Sequence, residues 1–212
     1  MPGFDHTLHG QAQSAIAIVR AGEITHVSSE ATIRREWSVT RLEALYELAY
    51  LRVFAAWEVC LESVFYRSLC GYASSAGQET LVTGNYYPSL ASAEAAVLGG
   101  RSYKLWHNPQ HVIDRCRGFI KSGVGCPCLQ ESVLSSNFAY LVDLGNTRHR
   151  IVHDSNDAKR KFDTATLQIA GRTYASSRPG RFLRDWDTST LPSRRRLEVA
   201  IVDLVAIIGQ IV

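Results

Sequence analysis

The sequence has no long apolar run. Its longest uninterrupted stretches, such as Leu204-Val205-Ala206-Ile207-Ile208, fall far short of the roughly 18 residues that a bilayer-spanning helix needs, so no membrane-spanning helix is expected. The first ten residues hold Asp5, His6 and His9 and lack the basic start and the apolar stretch of about 7–15 residues that mark a secretory leader. Cysteine is sparse and odd in number, at Cys60, Cys70, Cys116, Cys126 and Cys128. That count suits no disulfide framework, and a chain of 212 residues needs none to fold. A reducing, cytosolic compartment is the expectation. Neither sign of charge dominates, since 23 Lys and Arg against 20 Asp and Glu leave a net +3. Such a balance supports nucleic-acid binding only where positive charge is concentrated locally. No internal repeat or low-complexity tract is present, which sets solenoid architectures aside.

What is present is the composition of an ordinary folded domain, 46% hydrophobic and 20% charged. From Ser29 to Leu69 there is neither Pro nor Gly, and Leu42, Leu45, Tyr46, Ala49, Val53, Ala56, Trp57, Cys60, Leu61 and Val64 recur at helical spacing. Ser28 and Ser29 are candidate caps. A continuous helix of that length would reach roughly 60 Å at about 1.5 Å per residue, so it either breaks or projects into a partner. Further helices are expected at Ser89–Leu98, at Pro109–Ile120 with Asn108 as cap and Pro109 in the first turn, and at Leu129–Val152, weakened by Gly145-Asn146. Leu167 and Ile169 alternate around Gly171 as in a small hairpin. An Arg-rich, loop-like stretch follows, then a C-terminal helix on the stripe Leu197, Ala200, Ile201, Leu204, Val205 and Ile208. The expected fold is all-α, a helical bundle with an irregular basic insertion and a small hairpin before the C-terminal helix. Residues 1–28 form an N-terminal extension to a helical domain over 29–212.

The end of the second long helix reads Arg148-His149-Arg150-Ile151-Val152-His153. RNA carries its own nucleophile, the 2′-hydroxyl. A ribonuclease therefore needs a group that moves a proton near neutral pH and a fixed positive charge for the phosphorane. Histidine and arginine are those two parts. On a continuous helix Arg148 and His153 do not share a ridge, whereas His149 and His153, at i and i+4, do. The alternative is that the same cations complement the helix C-terminus.

This hexapeptide resembles the R-x4-H motif of the HEPN superfamily, including the polar residue, His149, that follows the Arg. The stretch Leu51-Arg-Val-Phe-Ala-Ala-Trp57-Glu58-Val-Cys-Leu61-Glu62 resembles the first helix of the RiboL-PSP group of that superfamily, and Gly180-Arg-Phe-Leu-Arg-Asp-Trp186 is similar to its late segment. The resemblance covers most of the chain from about Ala31 onward. It implies a helical bundle that dimerises, brings two motif regions into one cleft and cleaves RNA without metal or cofactor. Arg148 and His153 would be catalytic, with His149 in support. It also implies a toxin or defence effector, with an inhibitor or antitoxin protein as a possible partner. Some HEPN toxins carry a Tyr two residues beyond the His, where a nucleotidyltransferase modifies them. Here that position is Ser155.

Glu58 and Glu62 lie one turn apart in an apolar stretch and require cation partners. Glu58 either orients Arg148, or both carboxylates pair locally with Arg52, Arg67 or solvent. Between Arg172 and Arg196 seven arginines face two aspartates, a local +5 that exceeds the charge of the whole chain. Tyr174, Phe182 and Trp186 interleave with them, a combination that holds single-stranded RNA. Arg150, Arg178, Arg181 and Arg184 are the candidate RNA-binding residues, unless the segment pairs internally and its aromatics fold into the core. Cys126-Pro127-Cys128 has the wrong spacing for zinc, and His149 and His153 lack the Glu of a zinc-protease helix, so no metal is expected. The rival to a nuclease is a non-catalytic helical module that binds RNA or a protein.

Overall fold

A computed structural model describes residues 4–212 apart from 76, 78, 102–103, 122–127 and 190. Among the described residues it contains ten α-helices and one two-stranded hairpin. The protein is an all-α helical bundle. No described helix is long and apolar enough to cross a membrane. The chain divides into two compact units, one of Met1–Leu8, Trp57–Leu141 and Val205–Val212, the other of His9–Ala56 and Val142–Leu204.

The first long helix breaks. It forms α2 (Ala31–Glu36) and α3 (Val39–Leu69), parted at Trp37, whose φ/ψ of −92°/60° leaves the helical region. Ser38 restarts it, its Oγ accepting the Arg41 N–H at 3.4 Å. Ser28 and Ser29 cap neither helix; Glu30 is the N-cap of α2 and offers no side-chain bond. Residues 1–28, expected as an extension, contain α1 (Phe4–His26), with Leu8, Ala12, Ala15 and Val19 buried at helical spacing.

The unit holding Trp57–Leu141 packs the second half of α3 with α4 (Leu90–Leu98), α5 (Pro109–Phe119) and α6 (Leu129–Ser136). Ser89, expected as the first residue of its helix, is the N-cap of α4, and Asn108 caps α5 with Pro109 in its first turn, as expected. Trp106 is central to its core, 5.5 Å from Phe65 and 5.7 Å from Tyr66 between ring centroids.

In the other unit the first half of α3 buries Leu42, Tyr46, Tyr50 and Phe54. With it pack the remainder of α1, most of α7 (Phe138–Val152), α8 (Asn156–Ala170), the short α9 (Pro179–Arg184) and the start of α10 (Arg196–Gly209). The expected helix over 129–152 is in fact two, because Asn137 ends α6 by donating its side-chain amide to the Val133 carbonyl at 2.8 Å. Gly145-Asn146 lies unbroken inside α7. No hairpin forms around Gly171. Leu167 and Ile169 belong to α8, whose buried residues Ala158, Phe162, Ala165 and Thr166 follow the helical period, and Gly171 is its left-handed C-cap. The hairpin lies later and pairs Trp186 with Arg195 and Asp187 with Arg194.

Candidate functional site

Every residue of the Arg148–His153 motif lies in the unit of His9–Ala56 and Val142–Leu204. The buried Tyr50 hydroxyl on α3 donates to the Leu144 carbonyl at 2.8 Å, fixing α7 one turn before Arg148. The helix ends at Val152, and His153 follows it with its N–H still donating to the His149 carbonyl at 2.9 Å. The two histidine rings therefore stay side by side along one ridge, centroids 4.6 Å apart and planes tilted by 47°. Ser155 then caps α8 by accepting the Ala158 N–H at 3.1 Å. Two helix ends thus meet around the motif: the cationic last turn of α7 and the first two turns of α8, which carry Lys159, Arg160 and Lys161.

The electrostatics follow from that arrangement. Burial holds the His149 imidazole below its ordinary value, and the charges of His153, Lys161 and Arg148 add to the effect against Asp157. These surroundings favour the neutral form of the His149 imidazole. Arg148 and His149 are half-buried, and His153 is exposed. Asp154 bridges Arg150 at 3.2 Å and Lys159 at 2.9 Å, while Asp157 takes Arg160 and Lys161, both at 2.7 Å. These cations hold both carboxyls below the usual carboxylate range, Lys159 chiefly for Asp154 and Lys161 chiefly for Asp157.

Arg150, expected at the RNA surface, is a strut. Its side chain is 14% exposed, and it donates from Nε to the Ser177 carbonyl at 3.0 Å and from Nη1 to the His153 carbonyl at 3.1 Å. It pins the last residue of the motif to the turn before α9. That turn is itself fastened to α3: Glu47 accepts the Gly180 N–H at 2.8 Å, and Arg178 pairs with the buried Glu43. Gly180 is required there, because a Cβ would lie 2.4 Å from the Glu43 carbonyl oxygen.

The arginine-rich segment is largely spent on internal ion pairs. Arg172 pairs with Asp185. Arg184 and Arg195 converge on Glu23 at 3.3 and 3.0 Å, and Arg196 meets Asp187 at 3.2 Å. Of its aromatics, Tyr174 and Phe182 are buried, with Phe182 edge-on to Phe162 at 5.9 Å. Only Trp186 is half-exposed, with the Arg195 guanidinium 4.0 Å over its ring. Of the four candidate RNA-binding arginines, Arg181 alone is exposed with no ion-pair partner among the described residues.

Glu58 belongs to the other unit, where it is buried with an oxygen 3.9 Å from His107 Nδ1. Glu62 accepts the Tyr66 hydroxyl at 3.1 Å. Cys126 and Pro127 lie outside the described residues. Among the described residues no group of three or more His, Cys, Asp or Glu is arranged to hold a metal ion.

Two features of the site escaped the sequence reading. The run Lys159-Arg160-Lys161, visible as three successive cations, adds to the field at the motif. Asp143, on α7 ahead of Arg148, is half-buried, and burial pushes its carboxyl up to about 6; nothing in the sequence marks it. A cavity of about 450 Å³ lies elsewhere in this unit, floored by Val19, Tyr46 and Leu197 and edged by Trp186. The motif itself lies at the surface, with His153 exposed. No protein-family model matches the chain, and neither a curated protein nor a solved structure is significantly similar to it.

Proposed function

We propose that this protein is a cytoplasmic, metal-independent endoribonuclease of HEPN type that acts as a toxin or defence effector. The observation that carries the reading is the adjacent pair His149 and His153, ring centroids 4.6 Å apart, at a helix end where Arg148 and the cations of α8 supply the field an RNA phosphate seeks. In this reading Arg148 stabilises charge on the phosphorane and His153 transfers the proton, while neutral His149 supports the exchange. The 2′-hydroxyl of the substrate is the nucleophile, so neither metal nor cofactor enters the chemistry. A homodimer sets two motifs in one cleft, and an inhibitor or antitoxin protein is the partner that restrains them. The rival, a non-catalytic module that binds RNA or a protein, draws support from the internal pairing of the arginine-rich segment.

Incubation of the purified protein with a mixed RNA pool in excess EDTA tests the proposal. Cleavage should persist and leave 2′,3′-cyclic phosphate ends, and a substrate carrying a 2′-deoxy sugar at the cut should resist. Loss of activity in EDTA with recovery on added Mg²⁺, or cutting of the 2′-deoxy substrate, overturns the chemistry. RNA binding that depends on salt but produces no cut ends promotes the rival.

A further inference from the structure

In the unit of Trp57–Leu141, two thiols meet where α5 packs on α6. Cys116 lies in the last turn of α5 and is fully buried, whereas Cys128 is the N-cap of α6 and partly exposed. Each thiol is the foremost influence on the other's ionisation. Cys128 Sγ also accepts the Glu131 N–H at 3.4 Å, and Cys116 Sγ lies 3.6 Å from the Gln130 side-chain oxygen. A sulfur at a helix start that receives its free N–H groups is a sulfur whose anion is solvated by the protein. The Cys116 thiol foremost, and then the N–H groups of Glu131 and Gln130, draw the Cys128 thiol down to about 7 against its burial. Glu131 opposes this, but Arg117 neutralises its carboxylate at 2.6 Å. Cys70 differs: burial pushes its thiol up.

We propose that Cys128 and Cys116 form a peroxide-oxidisable pair, with Cys128 the attacking thiolate and Cys116 the resolving thiol of a reversible disulfide. The Cys128 thiolate attacks one oxygen of hydrogen peroxide; the S–O bond forms, the O–O bond breaks, and hydroxide leaves to take up a proton as water. The sulfur is oxidised by two electrons to a sulfenic acid. Cys116 sulfur then attacks Cys128 sulfur. The S–S bond forms, the S–O bond breaks, and the departing hydroxide carries off the Cys116 proton as a second water. Two thiols and one peroxide become one disulfide and two waters, and exchange with an external thiol reverses the step.

The test uses the full chain carrying Cys126→Ser, which removes the neighbouring thiol outside the described residues. At pH 7 iodoacetamide should label Cys128 at least about tenfold faster than Cys70. Stoichiometric hydrogen peroxide should lower the mass by two hydrogens, and peptide mapping should place the link between Cys116 and Cys128, with dithiothreitol reversing it. With Cys116→Ala added, dimedone should trap a sulfenic acid on Cys128. Cys128→Ser keeps a good N-cap residue and should leave Cys116 unoxidised. Labelling of Cys128 no faster than Cys70, or a link that runs through Cys60 or Cys70 or to a second molecule, overturns the proposal whether or not the Cys116→Ala protein folds.

Discussion

Asp154 and Asp157, the carboxylates among the cations of residues 148–161, are 75% and 50% exposed in their side chains. Glu43 and Asp187, which hold arginines of residues 172–196, are 6% and 12% exposed. Both stretches are basic and both belong to one unit, yet their charges are committed differently. The pairs of the first stretch are local and wet, and such pairs contribute little. A phosphate displaces them at small cost. Those of the second are partly desolvated and join distant elements: Arg178 reaches α3 and Arg184 reaches Glu23 on α1. Withdrawing such a cation strands a buried carboxylate. Local charge density in a sequence thus says where cations are, while the burial of their partners says which of them a polyanion can recruit.

The sharpest way to break this comparison is in the first stretch. His153→Ala and Arg148→Ala should each slow RNA cleavage by at least about 100-fold, the usual cost of a lost proton-transfer or charge-stabilising group. Exposed His153 should be lost with little change in melting temperature. Wild-type cleavage by a folded His153→Ala protein removes the site from α7. Next in size is Gly180→Ala, which drives a methyl into the Glu43 backbone. Overpacking of this kind costs roughly 1–3 kcal/mol, and calorimetry should find melting lowered by about 3–10 °C for a chain of this length.

Arg178→Ala should cost about 1–3 kcal/mol by leaving the Glu43 carboxylate buried and unpaired, with Glu43→Gln recovering part of the loss in the double variant. Denaturant titration of the four proteins measures the coupling. If Arg178→Ala instead keeps full stability and abolishes RNA binding, the second stretch is the RNA surface and the comparison fails.

Asp143 sharpens it from the acidic side. Its folded carboxyl is raised to about 6 by burial. The stability it contributes is therefore complete below the ordinary carboxyl value and is lost as pH rises through about 6. Asp143→Asn should melt above wild type at pH 7, and the gap should close near pH 4. The smallest effect belongs to exposed Arg181. Arg181→Ala should leave melting unchanged and lower the salt dependence of RNA binding by about one unit of slope.

A helix start marked by a polar cap and a proline, as at Asn108-Pro109, was legible because the signal is carried by adjacent residues. The breaks at Trp37 and Asn137 were not. Asn137 ends a helix by spending its amide on the Val133 carbonyl, a choice that many helical asparagines do not make, while Gly145 costs only a weak propensity that packing overrides. Leu167 and Ile169 misled as an alternation because Leu167 is an exposed apolar residue off the buried stripe of α8, and two apolar residues two apart look like a strand. At the site, the six-residue motif was legible as chemistry. The role of Arg150 was not, since its acceptor at Ser177 is 27 residues away and a carbonyl leaves no mark in a sequence.

That bond closes α8 into a ring. Between Arg150 and Ser177 the chain leaves, runs the whole of α8 and returns, and a single guanidinium fastens both ends of the circuit. The cost of closing such a ring grows only slowly with its length, so one well-placed fork suffices for the entire helix. Because the same fork also holds the His153 carbonyl, opening the ring loosens the last residue of the motif while the buried face of α8 keeps the helix in place. Trypsin has three successive cut sites inside the circuit, at Lys159, Arg160 and Lys161, and cleavage there would leave two chain ends tied at Arg150, with the motif still held on the anchored one.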